Sequence, residues 1–170
     1  MEIIFSKFKL IKVPRRRILV DFDEVRKNHY FVNKVAVRVY TLNREGLEKT
    51  RYFAFKGEFG TALPSLIDQN PAFEYLQTIE KSELLTISKA DFYQLVDQIP
   101  EFTIVYRNIL EKGFIIAQKR IYGFQGFDAM EKVKWVKKYY PMFLFRVSNK
   151  MAASFLGIAP ATLSRIKAKM

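Results

Sequence analysis

Apolar and polar residues alternate with a period of two in the first half of the chain and change to a helical period after about residue 88. Phe31 to Tyr40 is rich in β-branched and aromatic residues, with Val35, Val37 and Val39 alternating, and predicts a strand. Thr50 to Phe55 reads as its partner across the turn Asn43-Arg44-Glu45-Gly46, which makes a hairpin. Lys56-Gly57 interrupts the pattern. Glu74 to Ile79 and Glu83 to Ser88 then predict a further strand pair with a polar turn between them. Short strands at this spacing favour a β-sandwich or jelly roll.

Ser88 with Asp91 three residues on predicts a capped helix over Lys89 to Asp97, burying Phe92, Leu95 and Val96. Pro100 starts a longer helix to about Tyr122. Its apolar stripe runs through Phe102, Val105, Tyr106, Ile109, Leu110, Gly113, Ile116, Ala117 and Ile121, more than one small domain covers, so the stripe needs a partner. Gly123-Phe124-Gln125-Gly126 reads as the helix end, and Asp128 caps a further helix to about Tyr140 with Met130, Val133, Trp135 and Val136 inward. The expected class is therefore α+β. It comprises an N-terminal β jelly-roll domain over 1–99, a dimerisation helix over 100–123 and an all-α domain over 127–170. That last domain is near the size at which domains stop folding alone.

Arg146 to Met170 reads as two short helices around a tight turn, the form of a helix-turn-helix DNA reader. Ser148 is a hydroxyl N-cap, Met151, Ala152, Phe155 and Leu156 recur at helical spacing, and Gly157 supplies a left-handed C-cap. Pro160 opens the second helix, where its missing amide hydrogen costs nothing, and Leu163 and Ile166 close with Ile158 over the first. The opposite face carries Ala161, Ser164, Arg165 and Ala168, flanked by Thr162 and Lys169. From Tyr140 onward there are five basic side chains, Arg146, Lys150, Arg165, Lys167 and Lys169, and no carboxylate. A surface of that kind suits DNA phosphates.

Composition sharpens this. The chain of 170 residues has a formal charge of +12, which points to a polyanionic partner, nucleic acid before membrane. The absence of cysteine excludes disulfides, thiolate catalysis and cysteine-ligated metal centres, and fits a reducing cytoplasm. The N-terminal apolar run is broken by Lys7, Lys9 and Lys12, which rules out a signal peptide, and no apolar run is long enough to span a membrane. His29, the only histidine, makes no metal site by itself and is expected at a strand edge. Asp21, Asp23 and Glu24 beside Arg15, Arg16 and Arg17 read as a solvated turn. No nucleophile, base and orienting group can be assembled, so neither an enzyme nor a bound cofactor is expected.

A β sensor, a long apolar helix and a C-terminal helix-turn-helix, in that order, resemble the Crp/Fnr family of bacterial transcription regulators over nearly the whole chain. FVNKVAVRVY and GLEKTRYFAFKGEFGTALPSL resemble the family's sensor core, and SNKMAASFLGIAPATLSRIK its DNA-binding signature, in the short, wing-poor form common in Bacteroidetes. The resemblance implies a cyclic-nucleotide-binding-type jelly roll and a homodimer formed by the long helix, through Phe102, Val105, Ile109, Ile116 and Ile121. Two reading helices would then lie one duplex turn, about 34 Å, apart on double-stranded DNA. RNA polymerase is a further partner of such regulators.

Departures from the family pattern shape the expected activity. The phosphate-binding Gly-Glu and Arg-Ser of nucleotide-binding members fall, without a gap, on Thr61, Ala62, Ala72 and Phe73, so no charged group of that cassette is present. Together with Phe59 and Leu63 these residues form a degenerate pocket, filled by Phe59, Leu63 and Phe73 or suited to an effector other than cyclic AMP. Arg51 and Lys56 are the cations that could replace the missing arginine. The family's glycine in the first hairpin is Val35 here. In the reading helix Pro160 and Ala161 replace a base-contacting Arg-Glu pair, while Arg165 matches the second arginine and becomes the expected base contact. Thr162, Ser164, Lys167, Lys150 and Lys169 are expected on phosphates. The rival reading is a ligand-sensing or protein-interaction module whose helix-turn-helix no longer reads DNA.

Overall fold

The computed structural model describes residues 2–170. The chain divides into two compact units, one ending at Thr103 and the other running Ile104–Met170.

The first unit is a two-sheet antiparallel sandwich with short helices at its ends. After α1 (Glu2–Ser6) come β1 (Lys9–Val13), β2 (Ile18–Val20), β3 (Asn28–Lys34), β4 (Ala36–Leu42), β5 (Glu48–Phe55) and β6 (Phe59–Gly60). Then follow α2 (Leu63–Asp68), β7 (Tyr75–Thr78), β8 (Ser82–Ser88) and α3 (Lys89–Gln98). One sheet has the order β1-β8-β3-β6 and the other β2-β7-β4-β5. Tyr30, Val32, Val37, Val39, Ala54, Leu76 and Leu84 are buried in the core they enclose. Burying these apolar side chains is the main stabilising term, each valine and leucine worth about 1.5–3 kcal/mol relative to exposure.

Two strand expectations are corrected here. Phe31 to Tyr40 is not one strand: β3 and β4 lie in different sheets, and the chain turns between them at Val35, whose φ is +78°. The core positions shift phase there, from Tyr30 and Val32 to Val37 and Val39, so the alternation from Val35 onward conceals a corner. A β-branched residue in the left-handed region is strained, and this is the position the resemblance gives to glycine. Likewise, β7 and β8 form no hairpin but belong to opposite sheets. The Ile79 amide and the Ser82 hydroxyl both donate to the Ala36 carbonyl, at 3.2 and 3.3 Å, which joins this corner to the first. The hairpin of β4 and β5 forms as expected, with Asn43 Oδ1 accepting from the amides of Glu45 and Leu47 and Gly46 at φ +74°.

Ser88 caps α3 through the Asp91 amide. The long helix, α4 (Pro100–Gly126), runs through Gly123 rather than ending before it. Gly123 is buried under the Phe127 ring, where a Cβ would stand 2.8 Å from a ring carbon, so this glycine serves close packing and not termination. In the second unit α4 is followed by α5 (Ala129–Tyr139), α6 (Phe143–Arg146), α7 (Asn149–Leu156) and α8 (Pro160–Ala168). Asp128 and Glu131 form a reciprocal capping box at α5. Val133, Val136, Phe143, Leu144, Ala152, Ala153, Phe155, Leu156, Leu163 and Ile166 are the buried apolar residues of these four helices. Arg120 of α4 lies 4.2 Å from the Phe155 ring and donates to the Phe155 carbonyl at 2.9 Å, tying α7 to α4.

Candidate functional site

Two groups of residues carry the functional expectations, one in each unit. In the sandwich, β6 and α2 bring Phe59, Thr61, Ala62 and Leu63 close together in sequence, while Ala72 and Phe73 precede β7. Ala62 and Ala72 are buried core residues. Leu63 is half-buried at the first turn of α2, and the Thr61 hydroxyl donates to the Asn28 carbonyl at 3.5 Å. Phe59 packs edge-on against Phe31, His29 and Phe92. Phe73 is 55% exposed, so it fills no interior space. The reason is strand parity: Ala72 and Leu76 face the core, so Phe73 faces out.

The same parity places Glu74 inside, only 2% exposed. Its two oxygens accept from Arg51 Nε and Nη2 at 2.7 and 2.8 Å, a bidentate pair. Arg51 is thus committed to Glu74. A second guanidinium, Arg26, lies just before β3 and is 5% exposed. Its Nη1 donates to the Leu19 carbonyl at 3.4 Å and its Cζ is 5.3 Å from the Tyr30 ring centre. The backbone around Arg26 is fixed against the 62–72 stretch. Its amide donates to Ser65 Oγ, its carbonyl accepts from Gln69 Nε2, Val25 pairs with Pro71, and the Ala72 amide donates to the Glu24 carbonyl. Burial pushes the Arg26 pKa down, against Tyr30, Glu24 and Glu74, which favour the charged form.

His29 is not at a strand edge. It is buried on β3, between β8 and β6, with its ring stacked on Phe92 at 4.0 Å. Burial first, then Arg26 and Lys89, lower its pKa to about 4, so it is neutral at pH 7.

In the second unit α7 and α8 meet around Gly157, whose φ of +66° gives the left-handed turn. Ser148 Oγ accepts from the Met151 amide, and Ala159 gives α8 no side-chain cap. Ala161, Ser164, Arg165, Lys167 and Lys169 are exposed on or just after α8, Thr162 is half-buried, and Lys150 is exposed on α7. Asn149 Nδ2 donates to the Pro160 carbonyl at 2.9 Å and to Ser164 Oγ at 3.1 Å, fixing α8 on α7. Arg165 Nη2 reaches Thr162 Oγ1 at 3.4 Å, whereas Lys167 Nζ turns back to the Leu144 carbonyl at 3.4 Å. The unit from Ile104 holds thirteen Lys and Arg against three carboxylates, so it carries +10 of the chain's +12.

Along α4, Val105, Ile116 and Ile121 are exposed and Ile109 is half-buried. Phe102 instead packs on Phe92 of α3 at 5.3 Å. Sequence periodicity missed that Ile104, Phe114 and Ile115 are exposed too, so apolar residues lie on several sides of this helix.

Residues 10–99 match the family model described as the cyclic nucleotide-binding domain. The chain belongs to that family. No curated protein matches the chain in sequence. Solved structures of bacterial proteins share the fold at low identity. The c-di-GMP responsive global regulator CLP of Xanthomonas campestris is 17% identical with a TM-score of 0.76, covering 99% of this chain and 88% of its own. FixK2 of Bradyrhizobium japonicum is 16% identical with a TM-score of 0.81, covering 95% and 83%. The catabolite activator protein of Thermus thermophilus is 20% identical with a TM-score of 0.61, covering 99% and 80%. The fold of these proteins therefore extends over the helical unit as well as over the cyclic nucleotide-binding domain. Within that domain Ala62 and Ala72 are buried, and the buried Glu74 is paired with Arg51. Glu74 could have been found from strand parity. Arg26 could not, because its position depends on the pairing of Val25 with Pro71.

Proposed function

We propose that this protein is a DNA-binding transcription regulator of the Crp/Fnr type, acting as a homodimer through α4, whose cyclic nucleotide-binding domain does not respond to cyclic AMP. The observation that carries the reading is charge segregation: +10 resides in the helical unit, where α7, capped by Ser148, and α8 meet around the left-handed Gly157. The fold shared with regulators from three bacteria supports it. Arg165 is the base-reading residue, exposed near the middle of α8 and able to offer a bidentate edge to guanine. Lys150, Ser164, Thr162, Lys167 and Lys169 set the register on phosphates, with Ala161 close to the groove floor. Lys167 must release the Leu144 carbonyl to do so. RNA polymerase is the natural second partner once the dimer is seated on a promoter.

Selecting bound fragments from genomic duplex DNA with the purified chain tests this. A recurring two-fold sequence with half-sites about one helical turn apart is expected. Arg165→Ala should erase the preference at a cost of about 1–3 kcal/mol, while Lys167→Ala should weaken all duplexes alike. Fragments without a common sequence, or unchanged discrimination after Arg165→Ala, would refute the assignment.

A further inference from the structure

The sandwich buries two arginines, Arg26 and Arg38, and of the two only Arg38 has a carboxylate partner, Glu48; the half-exposed Arg51 is also paired. Arg51 presents Nε and Nη2 to the two oxygens of Glu74. Arg26, 5% exposed, presents the same edge, and its Nε and Nη2 have no hydrogen-bond partner among the described residues. No ion pair involving Arg26 occurs among them either. The two carboxylates that influence Arg26 are engaged elsewhere: Glu74 by Arg51, and Glu24 through Oε2 by the Asp21 amide. Arginine does not escape burial by losing its proton in this pH range, and a buried cation without a counter-charge is costly. Water could satisfy the two N–H groups but not the charge.

We propose that Arg26 is the receptor for an anionic effector, an oxyanion of the phosphate or carboxylate class held bidentately on Nε and Nη2 between the sheets. Its setting suits that role. The small side chains of Ala62 and Ala72 line the same interior, and the phenol of Tyr30 stands beside the guanidinium. The backbone of Arg26 is hydrogen-bonded to Ser65 and Gln69, so an anion drawn to the guanidinium would bear on α2 directly. This deepens the sensing half of the proposed function and depends on it only in taking the sandwich as the sensor. The predicted pairing does not depend on DNA binding.

The test is thermal unfolding of the full chain in sodium phosphate or sodium acetate, against sodium chloride at equal ionic strength. Phosphate or acetate should raise Tm saturably, by roughly 5–10 °C at a hundredfold excess over Kd. The anion with the lower Kd identifies the class. Arg26→Gln should abolish the shift. Arg51→Gln should weaken binding at least tenfold, because the released Glu74 then competes for Arg26. A shift no larger than that of chloride, or an equal shift in Arg26→Gln, overturns the proposal. Should Arg26→Gln not fold, the Arg26 Nε–H resonance of the 15N-labelled native chain decides it: movement during a phosphate titration supports the site, and an unmoved resonance overturns it. DNA retention by the same preparations separates the two readings, since loss of the anion effect with DNA binding intact sinks this inference alone.

Discussion

Removing Arg51 should destabilise the protein more than neutralising Glu74, although each change breaks the same ion pair. Glu74 is 2% exposed and both its oxygens are satisfied by Arg51, whose own side chain is 49% exposed. Arg51→Ala leaves a carboxylate in the sandwich with neither water nor its donor, a loss of about 3–5 kcal/mol for a buried pair broken from one side. The positive charge of Arg26 nearby offsets part of that, so about 3 kcal/mol is expected. Glu74→Gln keeps an acceptor oxygen toward Arg51, whose half-exposed guanidinium can turn to water, so its cost should be about 1 kcal/mol. For a chain of this size these values correspond to Tm decreases of about 6–12 °C and 2–4 °C. Urea unfolding followed by circular dichroism measures both, and the double variant should lie near Glu74→Gln, since no unpaired carboxylate remains. Equal costs, or a larger cost for Glu74→Gln, would refute the burial argument.

Four further outcomes follow from particular residues. His29, with a folded pKa of about 4 against 6.5 unfolded, binds its proton only in the unfolded state between those values, so stability present above pH 6.5 falls on acidification. Between pH 7 and pH 5 the loss should be about 2 kcal/mol, and urea midpoints at the two pH values for His29→Gln should show that component missing. Gly60→Ala would place a Cβ 2.4 Å from Val37 Cγ2 and 3.2 Å from the Ala54 Cβ, and should cost about 2 kcal/mol by overpacking; a neutral result in thermal unfolding would contradict it. Ile116→Glu, on the exposed part of α4, should convert a dimer to a monomer in light scattering at tens of micromolar, by a rough estimate. Calorimetric titration with cyclic AMP should give no Kd below about 10 μM, because Ala62 and Ala72 offer nothing to ribose or phosphate.

Local signals were legible in the sequence and long-range ones were not. The caps at Ser88, Asp128 and Ser148, the left-handed Gly157 and the Asn43–Gly46 turn depend on a few adjacent residues, and each forms as its chemistry dictates. The sheet corners do not. At Val35 an unbroken apolar alternation crosses from one sheet to the other, and nothing within the ten residues around it records the change of partner. Polar residues at Glu80 and Lys81 suggest a turn equally well for a hairpin and for a crossing. α6 was missed because four residues are too few to show a period. In the candidate pocket, sequence alignment identified Ala62 and Ala72 as small, uncharged positions but placed Phe73 inside, where strand parity puts Glu74. Arg26 was illegible because its burial depends on strands and a helix drawn from several parts of the chain.

The Ala36 carbonyl, which accepts from both Ile79 and Ser82, also constrains the order in which the protein can be built. β1 pairs with β8 and β2 with β7, so the first two strands find their partners only after 68 and 54 intervening residues, respectively, exist. During synthesis the early strands must therefore wait, unpaired, until residues 75–88 have emerged. The helical unit has mostly short-range connections and can collapse quickly once made. The sandwich should thus set the slow step of folding, and a chain stalled before residue 88 would present open strand edges, the form most exposed to aggregation. A ribosome-bound chain ending near residue 78 should accordingly be cut readily by protease, and one extended past α3 should resist.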